Sequence, residues 1–166
     1  GEGLAAYGKF IKKKAILVSR EWFPVYVAAL GSNSPLKDRY NNGLCSREAL
    51  TLLTIIREQE GIETRKLRAD AEMKSKEKKT AFDHAVTELQ GSLDIVISGV
   101  KERQNAEGEK NGWNSTSFET VSHWMEESGI SPFPGTRKDA IEWLKSEMDK
   151  GWSVTAKSWI VKAWGW

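Results

Sequence analysis

The side chains of this sequence best suited to proton transfer or nucleophilic attack near neutral pH are two histidines and one cysteine. Asp83 and His84 are adjacent. Neighbours on a helix project about 100° apart, so that carboxylate cannot orient that imidazole as a general base. His123 follows Thr120 on a segment of helical spacing and reads as a surface or half-buried residue. Cys45 has one nearby cation, Arg47, too little to hold a thiolate, and reads as a small buried apolar residue. None of the three has a second ligand at a zinc spacing, so neither a metal nor a cofactor is expected. Phosphate-binding glycine loops and nucleophile elbows do not occur. Glu126 and Glu127 read as a solvated helix face. The expectation is a protein that is not an enzyme.

Binding chemistry is better represented. Basic residues cluster at Lys12, Lys13 and Lys14, at Arg65, Lys66 and Arg68, and at Lys74, Lys76, Lys78 and Lys79. The net charge of +2 hides these local excesses. Phosphate neutralisation depends on local density, so these ten residues are the candidate contacts to a nucleic-acid backbone. Such contacts release counterions and carry little sequence preference. Nearby aromatic rings could stack on bases. No zinc finger or RNA-binding signature accompanies them, and RNA and DNA stay equally open. The alternative is a protein–protein adaptor or assembly subunit in which the basic stretch is only a solvated helix.

Eight tryptophans are present, and Trp159, Trp164 and Trp166 fall within the last eight residues. Ala156, Trp159, Ile160, Ala163 and Trp164 recur at three- and four-residue steps, one face of a helix that Gly165 would end. Trp159 and Trp164 fit a buried stripe, whereas Trp166 lies past the stop. Tryptophan is enriched at interface cores, so these three are the candidate subunit contacts of a homo-oligomer or larger complex.

The elements that would position these groups read as helical throughout. A chain of 166 residues is expected to form one domain, 1–166, an all-α bundle of about six helices. Leu4, Tyr7, Ile11, Ala15, Val18 and Trp22 share a helical face that Pro24 interrupts, with Gly31 as a stop. Residues 32–43 read as a loop. Ser46 caps a helix running to about Glu60 with Ala49, Leu52, Leu53 and Ile56 inward. Residues 62–79 hold seven basic against four acidic residues and read as a polar, basic helical arm. Phe82, Val86, Leu89, Leu93, Val96 and Val100 alternate steps of four and three, a helix seam. A loop carrying Trp113 follows. Thr116 and Glu119 fit a capping box ahead of Phe118, Val121 and Met125. Thr136 caps a helix with Ile141, Leu144 and Met148 inward that ends at Gly151, and residues 152–166 form the Trp-rich helix and tail.

One cysteine points to an intracellular, reducing compartment. The opening residues lack the plan of a signal peptide, and no apolar run would span a membrane. "AVTEL" at 85–89 followed by "STSFETVSHW" at 115–124 is similar to the late helix and following segment of rod-shaped plant virus coat proteins. That resemblance implies that assembly and nucleic-acid binding go together.

Overall fold

The computed structural model describes residues 5–101 and 115–166. The segment expected to be the first helix is instead a hairpin of β1 (Ala5–Ile11) and β2 (Lys14–Ser19). Its true period is two: Ala6, Gly8 and Phe10 are buried, while Tyr7 and Lys9 face out. The turn is only Lys12 and Lys13, both left-handed at φ 43° and 62°. Both central residues of such a tight turn need positive φ, which Asn-Gly supplies easily and lysine does not. The cost is roughly 1–2 kcal/mol per residue, and this is why the sequence shows no turn there.

The second correction lies at the supposed helix seam. Phe82, Val86 and Leu89 are buried on α5 (Lys79–Gly91), but the helix stops before Leu93, which is left-handed at φ 58°. Residues Ile95–Lys101 form β4, as befits the β-branched run Ile95, Val96, Ile97. Thr116, expected as a helix cap, lies inside β5 (Ser115–Thr120). With β3 (Ile62–Glu63), these strands form a five-stranded sheet of order β2-β1-β4-β5-β3, every pair antiparallel. The chain is therefore mixed α/β, not all-α. Among the described residues eight helices accompany the sheet. Leu4 and the Trp113 loop lie outside the described residues.

Other expectations hold in part. Ser46 caps α3 (Arg47–Glu58) by accepting from the Ala49 amide, with Ala49, Leu52, Leu53 and Ile56 buried. Thr136 and Asp139 form a capping box on α7 (Arg137–Gly151), where Leu144 and Met148 are buried and Ile141 is half-buried. Pro24 sits in the first turn of α1 (Phe23–Leu30), where a missing N–H costs nothing. The loop after it contains α2 (Leu36–Asn41). The arm 62–79 is not polar all round: it folds as β3, α4 (Thr64–Asp70) and a turn, with Ile62, Leu67 and Met73 buried. Thr120 is the cap of α6 (Val121–Glu127).

The two sheet faces carry separate cores. On one, α3, α4 and α5 pack Leu52, Ile56, Leu67, Phe82 and Leu89 against Ile62, Ile95 and Phe118. Full burial of each such aliphatic side chain contributes about 1.5–3 kcal/mol. On the other, α1, α6 and α8 (Val154–Trp164) pack Phe23, Tyr26, Trp124 and Ile160 against Phe10, Val18 and Val96. A cross-strand row shows how far the first core reaches. Leu17, Tyr7, Ile97, Phe118 and Ile62 are successive register partners. Their exposure falls from 70% at Leu17 and 40% at Tyr7 to 4% at Phe118. The three helices cover β3, β5 and part of β4, and leave the same face of the hairpin open.

Candidate nucleic-acid interface

Helix α4 is tied down at both ends of its inner face. Thr64 Oγ1 donates to the Thr116 carbonyl of β5 at 2.8 Å, and Leu67 is fully buried. This leaves Arg65 and Lys66 exposed, the latter paired with Asp70 at 2.6 Å one turn on. Arg68 plays a different part from its neighbours. Its guanidinium donates to the carbonyls of Met73, Lys74 and Ser75 and lies 5.6 Å from the Phe82 ring centre. It shapes the turn 71–78.

That turn presents the basic residues. Lys74, Lys76, Lys78 and Lys79 are all exposed. Lys78 Nζ donates to the Glu72 carbonyl and Lys79 pairs with Asp83 at 2.6 Å. Among the described residues Lys74 and Lys76 form no ion pair. Helix α5 starts at this turn with no side chain capping its first amides. Its buried face holds Phe82, Ala85, Val86, Leu89 and Gln90, so Thr80, His84, Thr87 and Gly91 line up on the opposite face. This outer stripe was missed from the sequence. Its signal was available as the polar complement of the Phe82, Val86, Leu89 spacing.

The lysines of the first cluster divide. Lys12 and Lys13, with Lys9, line an open cleft of about 700 Å³ whose other walls are His84, Thr87, Glu88 and Gly91 on α5 and the apolar Leu30, Ala163 and Trp164. Lys14 turns away, its ammonium 5.8 Å from the Trp159 ring centre on α8.

The groups considered for catalysis are held otherwise. His123 Nδ1 lies 2.8 Å from Glu119 Oε1 and 4.0 Å from Glu60 Oε2, and the Glu119 hydrogen bond raises its pKa. Cys45 is half-buried; burial, then the Glu88 charge, pushes its thiol up, away from the thiolate. Among the described residues no cluster of three or more potential metal ligands occurs, and no helix is long and apolar enough to cross a membrane.

Sequence comparison adds the decisive fact, a family match over residues 1–165. The chain belongs to the AlkZ-related family. No curated protein and no solved structure matches it. Membership of the AlkZ-related family spans nearly the whole chain, and supersedes the partial resemblance to plant virus coat proteins. It is consistent with nucleic-acid binding in general terms. In this AlkZ-related chain the terminal tryptophans also separate. Trp164 packs edge-on to Tyr26 at 5.5 Å and Trp166 lies 4.7 Å from Trp164, both against the chain's own cores. Trp159 is 40% exposed.

Proposed function

We propose that this protein binds duplex DNA, with α4, the basic turn and α5 acting as a helix–turn–helix unit whose second helix enters the major groove. One observation carries the reading: the outer stripe of α5 runs without interruption into the basic turn, while its inner face is anchored in the core. The succession α3, β3, α4, α5, β4, β5 is that of a winged helix–turn–helix unit. In such units the N-terminal part of the second helix meets base edges while surrounding groups hold the backbone.

Arg65, Lys74, Lys76 and Lys78 supply phosphate contacts. Thr80, His84 and Thr87 are the side chains placed to meet base edges. With three polar side chains against a larger basic set, affinity rests mainly on the backbone and sequence preference is modest. The protein binds without transforming its partner, so labelled duplex is recovered unchanged. Assembly into an oligomer, if it involves the tryptophans, uses Trp159, the exposed one of the three.

The test is fluorescence anisotropy with a labelled duplex and a single-stranded RNA at about 50 and about 300 mM salt. The duplex should bind, with log affinity falling by roughly 0.9 per log salt for each phosphate neutralised. The double variant Lys74→Ala, Lys76→Ala should lower that slope by about 2. Absence of duplex binding at low salt, or a double variant that binds like the native chain, would overturn the reading.

A further inference from the structure

We infer that the β1–β2 hairpin is a second DNA clamp: the cleft between Lys9, Lys12 and Lys13 and the Gly91 end of α5 takes one strand of the sugar–phosphate backbone. The inference rests on the duplex-binding reading and extends the interface to the far end of α5. Three observations support it.

The cleft is built by a change of partner along β1. The β1–β4 ladder is represented by the Tyr7–Ile97 pair. Two residues further on, the Lys9 amide donates not to β4 but to Gln90 Oε1 on α5. Beyond that point the hairpin runs past Ile95, where β4 begins, and its turn borders the cleft beside the last turns of α5. The opening is thus fixed by a buried side chain, Gln90 being 2% exposed.

The turn carries charge where conformation argues against it. Lys12 and Lys13 both hold left-handed backbone, and strained residues of this kind concentrate where a site needs them. Together with Lys9 they put three exposed ammonium groups on one rim. The carboxylate on the opposite wall, Glu88, is engaged elsewhere, accepting from Ser46 N at 2.9 Å and from Ser46 Oγ at 2.7 Å.

The floor is open. A side chain added at Gly91 would meet nothing within 4 Å, and its φ is not left-handed. A backbone can therefore approach α5 closely there, and so can an introduced blocking group. An anionic polymer fits an open, lysine-rimmed channel continuous with the α5 stripe better than a small enclosed ligand does.

The experiment uses two variants of the full chain. Lys12→Asn with Lys13→Gly removes both charges and gives the turn residues that favour its conformation, so the fold should gain thermal stability. Its affinity for a 20-base-pair duplex at about 100 mM salt should fall roughly tenfold, and its salt slope by about 2. Gly91→Phe fills the cleft without touching a charge; it should weaken duplex binding with the salt slope of the remaining contacts kept. If the hairpin variant binds with native affinity and slope while Lys74→Ala, Lys76→Ala does not, the clamp is wrong and the helix–turn–helix reading stands. If the native chain binds no duplex, both fall.

Discussion

The Lys9 amide donates to the side-chain oxygen of Gln90 at 2.9 Å, joining strand β1 to helix α5 across 81 residues of sequence. Gln90 is itself secured, its Nε2 donating to the Val86 carbonyl at 3.1 Å. One buried amide thus sets the distance between the hairpin and the helix proposed to enter the groove. Replacing Gln90 with Leu keeps the volume but leaves the Lys9 amide unpaired. The expected cost is about 1–3 kcal/mol, read from urea denaturation. The Lys9 amide should exchange with solvent faster while the amides of α3 stay protected. Unchanged stability and protection would mean the hairpin is held by its ladder alone.

Arg68 and Lys76 stand eight residues apart in the same basic stretch but are predicted to fail differently. Arg68 ties three carbonyls of the turn and covers Phe82. Arg68→Ala should lower stability by about 2 kcal/mol and soften the turn. Lys76→Ala should leave the melting temperature unchanged and lower duplex affinity alone. Parallel thermal melts and anisotropy titrations separate the two. Equal effects of both substitutions on melting would show that Arg68 has no structural role.

These two residues also show what was legible in the sequence. Charge density marked the basic stretch 65–79, although it read as one helical arm and not as a helix, a turn and the start of α5. It could not tell a solvent-facing lysine from an arginine folded back on carbonyls, which is a tertiary fact. The caps at Ser46 and Thr136 and the stripe of α3 were legible because they are set within one or two turns. The sheet was not. Tyr7, Ile11, Ala15 and Val18 fit a helical period by coincidence, and the turn between their strands lacks Asn or Gly. Likewise Phe82, Val86 and Leu89 continue into Leu93 and Val96 with unbroken spacing, although the chain reverses at Leu93.

The boundary between β5 and α6 gives a test of that kind of misreading. Thr120 Oγ1 donates to Glu60 Oε1 at 2.6 Å and accepts from the His123 amide at 3.3 Å, while its own amide donates to Glu60 Oε2 at 2.7 Å. Thr120→Ala removes a helix cap and a partner of Glu60, at a cost of about 1–2 kcal/mol. Thr116 lies within the strand, where a β-branched residue is all that is needed. Thr116→Val should therefore shift stability by less than about 0.5 kcal/mol. A larger loss at Thr116 than at Thr120 in denaturant titrations would restore the cap to residue 116.

His123 makes that same helix start sensitive to pH. The hydrogen bond that the protonated imidazole donates to Glu119 raises its pKa, burial opposes this, and the charges of Glu60, Glu119 and Glu127 add to the rise. A folded-state pKa above the unfolded value of about 6.5 contributes stability that is fully present below it. That stability is lost as pH rises through the folded-state pKa. The native chain should therefore exceed His123→Asn in unfolding midpoint most below about pH 6.5 and lose the advantage as pH rises through the folded-state pKa. The side chain is 37% exposed, so solvent screening keeps the effect small. A difference that grows with rising pH would contradict the assignment.

The terminal tryptophans can be divided by the same logic. Gly165 is left-handed at φ 73°, and the Trp166 amide donates back to the Val161 carbonyl at 3.0 Å. The turn so formed brings Trp166 beside Trp164 and beneath the Lys145 ammonium, 5.5 Å from its ring centre. Trp164 in turn meets Tyr26, which is 4% exposed. A chain stopped at Ala163 uncovers that part of the core and should lose about 3–5 kcal/mol, the cost of removing a packed tryptophan. Trp159→Ala, at an exposed site, should cost less than about 1 kcal/mol. Sedimentation of the two variants then reports on assembly separately from folding. A smaller species from Trp159→Ala with unchanged melting would make Trp159 a subunit contact. A truncated chain that melts like the native one but sediments as a smaller species would move the interface to Trp164 and Trp166, against their packing on Tyr26.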